Sequence, residues 1–435
     1  MNMNDMILVS VDDHVIEPPN MFKDHLPARY LDRAPKMQST QEDGSSVDSW
    51  IYEDRVVPNF GLNAVVGRPL NEYGFEPSSY DQIRLGTYDI KARVDDMNVN
   101  GILGSICFPT FPHFAGSFFL GAKDKELTLA VIQAYNDWHI DGWCGAAPGR
   151  FIPLSILPLW DIDLAVAEAK RVAAKGCRTI SFFDNPTAQG LPSVHSDHWD
   201  PLWRVLEDNK IVISIHIGSG AAAPYGSMDS PIDTWIVNMP MFIANATTNW
   251  LYSPVFHKFP DLKICLSEGG IGWVPYLLER ADFTYEHHSQ WTNANFHGMK
   301  PSELFKRNFI TCFIDDEFGL KNVDSMNVDM ITYECDYPHS DTLWPHAPEA
   351  LWKTIKHLPK ESIDKITHLN VMRQFNYDPF SVIKREDCTV AALRAQAAAA
   401  GVDTSEKAGM GGHNPSRGDG KPVTSGEVMK MFAPA

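Results

Sequence analysis

Eight short apolar, β-rich runs recur along this chain, at residues 6–11, 101–108, 151–157, 177–182, 211–216, 262–267, 308–313 and 330–334. Helical patterns fill most of the gaps, at residues 88–99, 127–144, 161–175, 198–209, 235–250 and 271–287. Strands joined through helices pair in parallel, and eight such units close on themselves, so the alternation predicts an α/β fold, a (β/α)8 TIM barrel. An open doubly wound sheet is the alternative. No Gly-x-Gly-x-x-Gly follows an early strand and no Gly-x-x-x-x-Gly-Lys-Ser/Thr occurs, so neither a dinucleotide nor a P-loop reading has support. Gly269, Gly270 and Gly272 follow the sixth run too late for that frame and read as tight-turn chemistry.

Two stretches fall outside the repeat. Residues 20–88, after the first strand, are polar and rich in Pro, Gly, Asp and Ser, with aromatics at Trp50, Tyr52, Phe60, Tyr73 and Phe75. A segment this long in a compact protein is functional or carries elements of its own. It reads as an insertion over the barrel mouth, whose aromatics serve either substrate and subunit contacts or a minor packing cluster. The expected organisation is therefore a metal-dependent barrel domain over residues 1–380, with the 20–88 insertion, and a C-terminal extension over 381–435. In that extension residues 387–400 have an Ala-rich helical pattern, and 401–435 read as a flexible or subunit-contacting tail whose His413 faces solvent.

At 435 residues and 44% hydrophobic composition, the chain can bury a sizeable core. Its net charge of -18 is spread along the sequence without a basic stripe, which excludes nucleic acid as the expected partner. No charged-then-apolar leader and no apolar run near membrane length is found, so no membrane partner is expected. Seven cysteines without close pairs read as reduced thiols and, with the absent leader, a cytoplasmic location.

The chemistry-bearing residues gather where the strands end. MITYECDYPHSDTLWP, from Met330 to Pro345, is an apolar strand running into Glu334, Asp336, His339 and Asp341. Such clusters at carboxyl ends of parallel strands are where these folds place reactions. Asp12 and His14 end the first run, and the period of two along a strand puts both on one face while Asp13 points away. Glu17, just before two prolines, reads as a structural carboxylate or a partner of the ligands. His216 ends the fifth run and Glu268 the sixth. Carboxylates and imidazoles brought to one mouth supply N and O ligands for a single divalent cation with room for water: Asp12, His14, His216 and Asp336. Zinc is the first expectation, and manganese and iron suit the same ligands.

Four stretches together carry a resemblance: VDDHVIEP at strand one, HIGSG at strand five, SEGGIGWVPYLLERAD at strand six and CDYPHSDTLWP at strand eight. Over residues 7–378 the chain resembles the amidohydrolase superfamily, in the amidohydrolase-related group that holds aminocarboxymuconate-semialdehyde, γ-resorcylate and carboxyvanillate decarboxylases. The resemblance implies metal ligation by the Asp12–His14 pair and by His216, and a dual role for Asp336 as metal contact and proton carrier. Asp12 stands where His or Glu is more usual, with a shorter reach. Glu268 stands where the decarboxylases carry His, which changes the proton inventory. The resemblance implies a small, acidic, aromatic or conjugated substrate, and similar proteins are often homo-oligomers, dimers in particular.

Two mechanisms fit these residues. A hydrolase of an amide, ester, lactone or carbon–carbon bond would use a metal-activated water, with Asp336 as base. A decarboxylase would protonate the carbon bearing the carboxylate, with Asp336 or Glu268 as acid. His339 either orients Asp336 and substrate or caps its loop. Arg93 and Arg280 either bind an acidic substrate or pair with Asp95 and Asp282. A catalytically silent binding barrel is the third reading, and it sits poorly with the proton-transfer groups present.

Overall fold

The computed structural model describes all residues except 43–44, 58–60, 75–76, 221–225, 410–419 and 432–435. Phe60, Phe75 and His413 therefore lie outside the described residues. Eight parallel strands form a barrel: β1 (Leu8–Val15), β2 (Ile102–Pro109), β3 (Leu154–Ser155), β4 (Thr179–Phe182), β5 (Val212–His216), β6 (Ile264–Ser267), β7 (Phe309–Phe313) and β8 (Ile331–Tyr333). Their order around the sheet is β2-β1-β8-β7-β6-β5-β4-β3. The ring is completed by a single parallel bridge between Ser105 of β2 and Phe151, just before β3. Every strand residue is buried, as expected when helices cover the outer face and side chains fill the lumen.

The helices pack outside. α1 (Ile90–Val99) and α2 (Ile162–Ala174) begin at Asp89 and Asp161, whose carboxylates accept from exposed first-turn N–H groups and favour the positive helix end. Trp199, Trp203 and Trp250 interlock with Phe182 of β4 in a buried aromatic layer between barrel and helices. Among the described residues no helix is long and apolar enough to cross a membrane. All seven cysteines are free and buried.

Residues 20–88 contain a three-stranded antiparallel sheet of Lys36–Glu42, Ser45–Tyr52 and Arg55–Val57. Trp50 is buried against Phe22 and Phe111, and the Tyr52 hydroxyl lies 2.9 Å from Thr128 Oγ1. These two aromatics form packing contacts, whereas Tyr73 lines the cavity at the barrel mouth. Beyond the barrel, α3 (Val390–Ala400) is anchored by Val390 N–H donating to Met6 O and by Arg394 pairing with Glu349. The chain then crosses to the other end of the molecule. Lys407 N–H donates to Gly67 O, and Val423 O accepts from Ile232 N–H. The Thr424–Pro231 bridge and α4 (Ser425–Met431) follow.

Candidate metal centre

The mouth of the barrel is stitched together by backbone. His14 N–H donates to Tyr337 O at 2.7 Å, Asp336 N–H to Asp12 O at 2.8 Å, and Cys335 N–H to the Ser10 hydroxyl at 2.9 Å. Adjacent strands β1 and β8 thereby fix Asp12, His14 and Asp336 side by side. Glu268 and Asp336 both adopt left-handed backbone, with φ of 57° and 53°, an unusual conformation for residues with a Cβ. At the turn after Glu268, a Cβ on Gly269 would lie 2.7 Å from Ile243, so only glycine lets the turn pack there.

The side chains converge. His14 Nε2 is 3.3 Å from Asp336 Oδ1 and 3.6 Å from Asp12 Oδ1. His216 Nε2 is 3.1 Å from Glu268 Oε2, 3.6 Å from Asp12 Oδ2 and 3.2 Å from His14 Nε2. His339 Nδ1 lies 2.9 Å from Asp336 Oδ1, and its ring stacks on that of His14 at 3.8 Å. Two overlapping groups, His14, Glu268, Asp336 and His339, and Asp12, His14 and His216, have ligand atoms within 4.8 Å of one another.

Their protonation follows from what surrounds them. His216 Nδ1 is 2.7 Å from Ile217 O, so that nitrogen carries the proton and Nε2 presents a lone pair. Burial drives the His216 pKa down to about 3 and that of His14 well below its usual value, so both rings are neutral. Burial, aided by neighbouring carboxylates, pushes Asp12, Glu268 and Asp336 well above the ordinary carboxyl range. Neither oxygen of Asp12 or of Asp336 has a hydrogen-bond partner, nor do His14 Nδ1 and His339 Nε2. The oxygens of Asp12 and Asp336 crowd imidazole nitrogens without a hydrogen bond of their own, and a cation among them would satisfy both. The donor set, nitrogen and oxygen only, fits a divalent metal.

Surrounding residues hold this arrangement. Asp13 points away from the cluster and accepts from Ser10 Oγ, Ser105 Oγ and Tyr337 N–H, with burial raising its pKa to about 6. Glu17 accepts from Thr110 and Phe111 N–H at 2.9 and 2.8 Å, tying the loop after β2 to β1. Glu334 accepts from Glu268 N–H at 3.0 Å and from the Cys312 thiol at 2.7 Å, and so supports the strained Glu268 backbone. Phe114 packs against both His14 and His216, at 5.2 and 4.1 Å between rings. Glu334 and Phe114 carry no role in the sequence reading; the position of Phe114 just beyond the β2 terminus was the available signal.

The two arginines expected at substrate lie elsewhere. Arg93 is fully buried behind β1, where it donates to the carbonyls of His14 and Gly86 and lies over the Tyr337 ring. It braces the site from outside the cavity, and Asp95 pairs with Lys91 instead. Arg280 is exposed on α5 (Val274–Thr292) above Phe283, away from the mouth, and Asp282 accepts from Ser302. In both cases sequence proximity to an acid gave no information on where the side chain points.

A cavity of about 1040 Å³ opens beside the cluster. Glu268, Glu334 and Asp341 line its polar side, and Trp235, Met239 and Trp273 its apolar side.

Comparison with known proteins agrees with the barrel fold. The amidohydrolase family profile matches residues 87–376. The chain is 24% identical over 308 residues to 2-amino-3-carboxymuconate-6-semialdehyde decarboxylase of Dictyostelium discoideum, covering 69% of this chain and 80% of that protein. Among solved structures, an amidohydrolase of Mycobacterium avium subsp. paratuberculosis superposes with a TM-score of 0.64 at 22% identity, covering 85% of this chain and 99% of that one. The 5-carboxyvanillate decarboxylase of Novosphingobium aromaticivorans, solved with bound manganese, gives a TM-score of 0.59 at 17% identity, covering 86% and 99%.

Proposed function

The chain belongs to the amidohydrolase family and is an enzyme, and from that premise we propose that it is a metal-dependent carboxy-lyase acting on a small aromatic or conjugated carboxylic acid. The observation that carries the reading is the convergence of Asp12, His14, His216 and Asp336, in which neither carboxylate has a hydrogen bond on either oxygen. These four residues would hold one divalent ion, and Glu268 stands within reach of His216 to join them. Manganese, found in the carboxyvanillate decarboxylase, suits these donors as zinc and iron do. When bound, the cation supplies Lewis-acid polarisation of a substrate oxygen.

The protein groups supply orientation and the proton. His339 Nδ1 lies 2.9 Å from Asp336 Oδ1, and burial shifts the Asp336 pKa well above the ordinary carboxyl range, toward the protonated form a general acid needs. Protonated Asp336 delivers its proton to the ring carbon bearing the carboxylate. The bond from that carbon to the carboxylate then breaks, its electron pair stays on the ring, and carbon dioxide leaves. Glu268, also raised by burial, stands as the second acid, 3.1 Å from His216 Nε2. The apolar side of the cavity excludes water from a substrate seated there, which favours proton delivery to carbon over hydrolysis.

Metal-loaded protein incubated with a panel of hydroxybenzoates and conjugated semialdehyde acids tests this directly. Carbon dioxide should evolve, and in deuterated water one deuterium should appear on the vacated carbon. Cleavage of an ester, lactone or amide with no carbon dioxide would assign the same residues to hydrolysis. A soluble dimer within the cytoplasm is the setting we propose for the enzyme.

A further inference from the structure

The imidazoles of His14 and His216 are each met by two phenylalanines. Phe108, near the end of β2, is fully buried, with its ring 5.0 Å from that of His216 and 5.9 Å from that of His14. Phe114, in the loop that follows, is half-buried and lies nearer, 4.1 Å from the His216 ring at a tilt of 39° and 5.2 Å from that of His14. The cavity reaches the cluster from elsewhere. Its described lining includes Ile217, Glu268 and Glu334, just after β5, β6 and β8, and no residue of β1, of β2 or of the loop after β2. Phe114 therefore covers the imidazoles on a side that the cavity does not use.

Local structure fixes where that ring sits. Two successive turns follow β2, closed by His113 N–H donating to Thr110 O at 3.1 Å and Gly116 N–H to His113 O at 2.9 Å. The backbone is left-handed at His113 and Gly116, with φ of 60° and 72°, which reverses the chain on either side of Phe114. The near flank is held by Glu17, which accepts from Thr110 and Phe111 N–H. The far flank is held by Arg55 of the inserted sheet, which donates to Phe118 O at 3.0 Å and lies 4.2 Å over its ring. Phe111 packs on Trp50 of the same sheet, 4.7 Å between rings. A loop clamped on both flanks keeps the ring between them in one place.

We propose that Phe114 is the water-excluding cap of the metal centre, keeping solvent off the His14 and His216 ligands on the side away from the substrate cavity. This rests on the reading of the cluster as a metal site. Phe114 acts through those ligands and not on substrate. An apolar shell around metal ligands controls the access of water and the local dielectric. With water held off, the attraction between a cation and its ligands is stronger and exchange of the ion with solvent is slower. Entry is then left to the Glu268 side, where the cavity opens.

Release of zinc tests this without turnover. Full-length protein loaded with zinc is mixed with an excess of a chromophoric chelator, and the first-order release rate is read beside a thermal melt of each variant. Phe114→Ala should release zinc about tenfold faster than wild type or more, the scale on which groups around metal ligands act. Phe114→Leu, which keeps apolar bulk, should stay close to wild type, and the melting temperatures of all three should agree because the ring is half-buried. Release from Phe114→Ala at the wild-type rate, or a rise that Phe114→Leu shares in full, would overturn the proposal. So would faster release that tracks a lowered melting temperature across the two variants. Wild type that keeps no zinc after dialysis would remove the metal reading, and this inference with it. Release governed by Phe114 with no carbon dioxide from any acid would remove only the carboxy-lyase reading.

Discussion

Asp12 and Asp13 are neighbours in sequence, equally buried, and opposite in circumstance. Asp13 sits in a layer behind β1 where Ser10, Ser105, Tyr337 and Arg93 leave its carboxylate bonded and charge-balanced. Asp12, on the lumen side, has no hydrogen bond on either oxygen and faces His14 and His216, with Glu334, Glu268 and Asp336 close enough to raise its pKa further. A folded chain leaves few buried polar atoms orphaned, because each costs about 1–3 kcal/mol. The satisfied layer is architecture. The unsatisfied cluster is what a bound cation would satisfy.

Substitutions on the two sides of β1 test this contrast. The largest effect is expected on the lumen side: Asp336→Asn should lower turnover by roughly a hundredfold to ten-thousandfold, the range of a general acid, while the fold survives. Near-normal rates would place proton transfer elsewhere. On the satisfied side, Arg93→Met strands the carbonyls of His14 and Gly86 and uncovers Asp13. It should cost about 3 kcal/mol or more in a denaturant titration.

A third expectation concerns pH. His139 is fully buried, its Nε2 lies 3.0 Å from Cys107 O, and burial lowers its pKa to about 4. The unfolded chain binds this proton near pH 6.5 while the folded protein refuses it until about pH 4. Its contribution is therefore complete above about 6.5 and is lost as pH falls to 4, at most roughly 3 kcal/mol. His139→Gln, which keeps a donor for Cys107 O, should flatten that part of the stability profile. The smallest effect separates the two aspartates most cleanly. In metal-free protein Asp12→Asn should be neutral or stabilising by about 1 kcal/mol, because it removes a repulsive group and strands no partner. A loss like that of Arg93→Met would show that Asp12 has a structural partner after all.

Much of this was legible in the sequence because the barrel repeats one physical pattern. All eight strands lie within or overlap the apolar runs, and β1, β5, β6 and β8 end at the polar residues that converge. The third strand is the weakest match. Residues 151–157 read as a strand, but only Leu154–Ser155 pair regularly, since Pro153 and Pro158 have no N–H to give a ladder. The pattern at 127–144 covers a helix over Lys125–Asp137 that widens into π turns over Trp138–Cys144, a change that spacing alone does not encode. Arg93 and Arg280 show the limit for side chains, since charge is written in sequence and direction is not. Val428 shows it for position. It lies beyond the last barrel element, and only the return of the chain over the mouth brings it to the cavity.

Elemental analysis after loading and dialysis asks whether this cluster binds one divalent metal. Wild type should retain one ion per chain, and His216→Ala should retain little or none while staying folded. An empty wild type, or a His216→Ala variant with full occupancy, would contradict the account.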